Sequence, residues 1–133
     1  LRGEAVNMGI AFIKVASVYL LIGVSLGLYM GMADKFQYTP VHAHVNLLAW
    51  ATMALFGLIY YYFPRAGDSI LGKVHFWLHN IGTVALLIGM ILFANGNESA
   101  GLPFAIPGAW LVIIGVVIFI INVFKNVKKE VRF

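Results

Sequence analysis

The sequence predicts an all-α integral membrane protein, a four-helix bundle of transmembrane spans forming one domain over residues 1–133. Three observations lead there. First, 62% of the residues are hydrophobic and 11% charged, with a mean hydropathy of +0.92; soluble domains average about 45–50% apolar and about 25% charged. Second, the charges are gathered so that residues 15–33, 36–64, 74–97 and 99–124 contain no Asp, Glu, Lys or Arg. Each gap supplies the roughly 20 apolar residues that cross about 30 Å of hydrocarbon. Third, runs such as ALLIGMILF and LVIIGVVIFII lack period-two alternation. That argues against barrel strands and for helices, whose backbone groups are bonded internally.

The first helix is expected over 8–32. Gly23, Gly27 and Gly31 recur at every fourth residue, a spacing that lets a second backbone approach closely, within the subunit or between subunits. The segment is too long for a signal peptide and has no small-residue cleavage site before polar sequence, so it is expected to stay as a span. Lys14 lies near enough to its start to snorkel to the surface.

The second helix is expected over 41–63, opening on VHAHVNLLAW and closing on Tyr60, Tyr61 and Tyr62. Those tyrosines, with Phe36 and Tyr38 at the other end, fit the aromatic belts of a bilayer. The third helix is expected over 73–94 and the fourth over 103–125, and the short connections make consecutive helices antiparallel neighbours.

Arg2, Arg65, Lys73, Lys125, Lys128, Lys129 and Arg132 fall on one side of this topology and Lys35 alone on the other. Both termini are therefore expected on the cytoplasmic side. The net charge of +4 reads as that topology signal plus affinity for anionic lipid, and no nucleic-acid partner follows from it. The chain has no Cys, which excludes disulfides, thiolate ligands and covalent CxxCH haem attachment.

Four histidines, His42, His44, His75 and His79, lie on the second and third helices. Ionisable groups within a membrane are costly and mark functional sites, although an imidazole near an interface also serves merely by hydrogen-bonding a carbonyl. At about 100° per residue, His42 and His44 point to nearly opposite sides of their helix, so one subunit cannot clamp one metal with both. His75 and His79 are i, i+4, a spacing able to chelate a metal such as Zn or Cu, and Thr83 continues their face. Asn46, one turn after His42, is placed to orient its imidazole, as Thr83 is for the other pair. By helical rise, His44 and His79 are expected to differ in height by roughly 15 Å, too far for one iron to join them.

VHAHVNLLAW resembles the haem-binding helices of subunit I of heme-copper oxidases and the related nitric oxide reductases. Those helices carry a His-x-His element, and a His shortly before an Asn-Leu-Leu run that ends in Tyr-Tyr before Pro. His42 and His44 match the first pattern; His44, Asn46 to Leu48 and Tyr60 to Pro64 match the second. HFWLHNIGTVALLIGM is similar to a short four-helix group described as oxidase-subunit-I-like. The family's large subunit is built from three pseudo-equivalent arcs of four helices, so the resemblance implies a homotrimer in a prokaryotic cell (inner) membrane, each copy one arc of the ring. It further implies haem b as cofactor, bound by His42 of one copy and His44 of the next, with a weaker metal site at His75 and His79.

One chain supplies no complete copper site of three histidines, and no Arg pair for haem propionates, so no catalytic residue is assigned. The expected function is a haem protein for electron transfer, with a redox partner, or for binding O2 or NO. Two alternatives stay open: a haem-free transition-metal binding or transport protein, and an accessory subunit of a respiratory complex whose histidines are only packed.

Overall fold

The structure is a computed structural model that describes residues 7–129; the expected topology charges Arg2 and Arg132 lie outside those residues. Four helices are long and apolar enough to cross a membrane: α1 (Met8–Ala33), α2 (Phe36–Tyr62), α3 (Ile70–Ala94) and α4 (Glu98–Asn126). No strand occurs among the described residues.

Three of the four starts, those of α1, α3 and α4, are set by a capping side chain. The Asn7 side chain accepts the Ile10 N–H at 3.2 Å to open α1, satisfying a donor that the first helical turn leaves without a partner. Ser69 does the same for α3 by accepting from Gly72 at 3.1 Å, and Asn97 for α4 from Ala100 at 3.4 Å. These caps explain why α3 begins at Ile70 and α4 at Glu98, each ahead of the expected residues 73 and 103. Pro103, expected as the first residue, consequently lies inside α4, as Pro107 does. Likewise α2 begins at Phe36 rather than at 41, with Pro40 in the first turn of its α-helical part, where a missing N–H costs nothing. A one-turn helix, Pro64–Gly67, joins α2 to α3.

The helices form two antiparallel hairpins. In α1–α2, a Cβ built on Gly9 would lie 2.6 Å from the Tyr61 nitrogen, and one on Gly57 2.8 Å from the Gly9 carbonyl oxygen. Further along, Gly23 faces Asn46 and Gly27 faces His42. Two of the three glycines in the expected stripe thus pack within the subunit, while Gly31 has no neighbour within 4 Å of its would-be Cβ. The α3–α4 interface is the most extensive in the molecule. There Gly82 meets the Gly108 carbonyl, and Gly89 meets Gly101 and Ala105. Such backbone-to-backbone approach maximises van der Waals contact where no water release drives association.

Rings join the two hairpins. Phe12, Phe56, Tyr60 and Phe76 form a buried cluster with Phe119 packed against it, and His75 and His79 sit inside with no exposed surface. The outward faces carry Leu21, 70% exposed, and Phe124, 83% exposed, which suits hydrocarbon rather than water.

Gly108→Ala places its Cβ 2.5 Å from the Leu86 nitrogen, a backbone atom that cannot yield. Thermal unfolding in detergent micelles is expected to show a loss of about 1–3 kcal/mol for that variant, whereas Gly31→Ala, with open space around it, leaves the transition where it was.

Candidate functional site

The middle of α2 departs from α-helical register. Residues Val45–Ala51 are π-helical, and the Thr52 N–H bonds the Leu47 carbonyl five residues back. In an α-helix that N–H would bond Leu48. The shift leaves the Leu48 oxygen open to a side chain, and His79 Nε2–H of α3 donates to it at 3.2 Å. Single π-turns of this kind are often found at functional sites.

The two α2 histidines precede this segment and diverge as expected. His42 turns toward α1, with its Nδ1–H donating to the Gly23 carbonyl at 2.9 Å and its ring against Gly27. The Asn46 side-chain N–H approaches His42 Nε2 at 3.5 Å, so Asn46 does act on His42, but only through a long and weak contact. His44 faces outward and is exposed. Its Nδ1–H donates to the Pro40 carbonyl one turn back at 2.9 Å, which fixes the ring and leaves Nε2 as a bare lone pair. Beside it lies a shallow hollow of about 270 Å³ lined by Ala43, His44, Leu47, Leu48 and Thr52.

An imidazole anchored through Nδ1 to a backbone carbonyl is the form in which histidine binds a metal through Nε2. His44 fits an axial haem ligand on that ground, and the apolar hollow fits part of a porphyrin face. His42 has the same Nδ1 anchor, but Asn46 and α1 cover its Nε2, so it can serve only after Asn46 swings aside.

His75 and His79 are placed together in the core, their ring centroids 6.0 Å apart. His79 meets the main chain of Leu48, one turn below His44 and so only about 6 Å along the helix. Its ring also packs against Phe56, three turns below His44, with centroids 5.2 Å apart, so the side chain spans part of the roughly 15 Å offset expected between the two positions. A Tyr60 hydroxyl lies 2.7 Å from His75 Nδ1, and the Asn122 amide donates to the same hydroxyl at 3.2 Å and to the Ala66 carbonyl at 2.9 Å. Ser69 and Asn126 donate to the Asn122 oxygen at 3.3 and 2.7 Å. Among the described residues no group of three or more His, Cys, Asp or Glu side chains gathers to hold a metal.

Two features were not read from the sequence. Tyr60 is not part of an aromatic belt: it has no exposed surface, while Tyr61 and Tyr62 are 53% and 74% exposed. Tyr60 is one residue ahead of a surface position, and helical rotation turns it into the core. Asn122 is fully buried and holds the network; its signal was a lone amide inside the charge-free run IFIINVF. Lys14 is exposed, in keeping with snorkelling.

Searches against protein-family models, curated proteins and solved structures give no match to this chain.

Tyr60→Phe removes the hydroxyl shared by His75 and Asn122 and leaves both groups short of a partner in a buried site. Unfolding measurements in micelles are expected to register a loss of about 1–3 kcal/mol, against no measurable change for Tyr62→Phe on the exposed face.

Proposed function

We propose that the chain is a membrane haem b protein in which the α2 histidines hold the iron between copies, as its resemblance to heme-copper oxidase subunit I suggests. One observation carries the reading: the fixed, outward imidazole of His44, whose Nδ1–H donates to the Pro40 carbonyl, beside an apolar hollow that the residue helps to line. A bare imidazole on a lipid-facing surface is costly without a partner, and an iron would be that partner.

His44 would be the principal ligand to the iron. Ala43, Leu47 and Leu48 line the hollow beside it and would keep water from one porphyrin face. The hollow is smaller than a porphyrin, so the opposite face needs a second surface; a neighbouring copy, in the homotrimer that a one-arc chain implies, supplies it. His42 of that neighbour is the second donor once its Nε2 leaves Asn46. Bound in this way, haem b supplies a one-electron ferric–ferrous couple with two imidazoles, or an open position for O2 or NO with one. The chain's own residues anchor the ring nitrogens and exclude water; none is assigned a catalytic role. The membrane is then a prokaryotic cell membrane with both termini cytoplasmic. A haem-free metal site at His75 and His79 has less support, since among the described residues no third His, Cys, Asp or Glu gathers with them.

The test is expression with added haem, followed by reduced-minus-oxidised absorption spectra and mass measurement in detergent. A Soret band is expected in the purified trimer, lost in His44→Ala while helical content is kept, and altered in position but kept in His42→Ala. Colourless wild-type protein, or an unchanged spectrum in His44→Ala, overturns the reading.

A further inference from the structure

We propose, resting on the haem reading above, that Asn46 is a positioning residue that gates His42. Its amide occupies the one lone pair that His42 Nε2 would offer to iron, and so sets whether the iron receives one imidazole or two.

Counting hydrogens fixes both side chains. A backbone carbonyl only accepts, so the 2.9 Å bond to Gly23 puts the His42 hydrogen on Nδ1. Nε2 is then a bare lone pair, and only the N–H side of the Asn46 amide can face it, at 3.5 Å. That lone pair takes one hydrogen or one metal, never both. The Asn46 oxygen is thereby turned the other way, toward α1. A Cβ on Gly23 would stand 1.7 Å from it, so only a glycine leaves it room. The oxygen is buried there and has no hydrogen-bond partner. Reversing the amide gives no relief, because its oxygen would then meet the Nε2 lone pair.

The gate is held weakly at both ends. A contact of 3.5 Å is at the long limit of a hydrogen bond, and an unpaired buried acceptor is unfavourable. With no ligand on His42 the amide stays, since leaving forfeits its one bond as well. Once iron takes Nε2, that bond is gone and the amide has no reason to remain. The His42 ring meanwhile stays cradled by α1, between the Gly23 carbonyl and Gly27, whose Cβ would lie 2.8 Å from the ring. His44 carries no such cap among the described residues: its Nδ1–H donates to Pro40 and the residue is exposed. The two imidazoles therefore differ in availability. A closed gate leaves the iron one imidazole and an open position, the form suited to a diatomic ligand; an open gate gives it two, the form suited to electron transfer.

The full chain in detergent micelles tests the gate with and without haem. In haem-free protein carrying His44→Ala, diethyl pyrocarbonate attacks the bare nitrogen of His42, and peptide mass spectrometry reads the rate. Asn46→Ala is expected to raise that rate about 2- to 10-fold, the factor by which one hydrogen bond of ordinary strength shifts an equilibrium. Gly23→Ala is expected to raise it too, by pushing the tip of Asn46 aside from α1. In haem-loaded protein with His44 intact, Asn46→Ala is expected to lower the fraction of iron that binds carbon monoxide, and adding His42→Ala to restore it. A modification rate unchanged in either variant that keeps wild-type helical content overturns the inference. So does a carbon monoxide fraction unchanged by Asn46→Ala. Colourless protein with raised rates overturns the haem reading instead and leaves the masking of His42 standing.

Discussion

The hydrogen bond from His79 to the Leu48 carbonyl ties the two hairpins together at the level of the π-helical segment. In hydrocarbon a released carbonyl has no water to turn to, and leaving it unpaired costs several kcal/mol. A change of helical register in α2 is therefore tolerable only if another element brings a donor, and α3 brings one from its buried face. The bond in turn fixes which His79 nitrogen carries hydrogen. The ring so held packs edge-on against Phe56 and beside His75, which itself pairs with Tyr60. Below it, Asn122 of α4 closes the network onto Ala66 in the connection between α2 and α3.

Glycine and aromatic residues divide the remaining work. Within each hairpin the main chains approach until only a hydrogen fits, as at Gly9 with Gly57 and at Gly82 with Gly108. Between hairpins large rings fill the space, with Phe12 and Phe76 at 4.9 Å and Phe56 and Phe119 at 4.5 Å. Tyr60, His75 and Asn122 occur together in this seam, the tyrosine hydroxyl joining the other two.

Much of this was legible in advance. Charge-free stretches of spanning length announced the four helices, and 100° per residue announced the divergence of His42 from His44. The Gly23 and Gly27 register foretold close packing, though not its partner. What stayed hidden depended on register and on the far side of the bundle. Nothing local in VNLLAWA marks a π turn, so the Leu48 carbonyl could not be foreseen as an acceptor. Tyr60 looked like its neighbours Tyr61 and Tyr62, and only the placement of α3 and α4 separates them. Asn122 lies sixty-two residues from the hydroxyl it supports, a distance over which one sequence carries no pairing information. The comparisons offered no relative to bridge it.

At the opposite end of the α2–α3 seam the packing is of another kind. There the Tyr38 hydroxyl donates to Asn95, and beneath that clasp a crevice of about 360 Å³ opens between Gln37, Pro40 and Val41 on one wall and Met90, Phe93 and Ala94 on the other. Atoms lining a gap forfeit dispersion energy unless something fills it, and in a bilayer the nearest filler is an acyl tail. This rim therefore gains less from packing of its own side chains than the ring-sealed half of the bundle does.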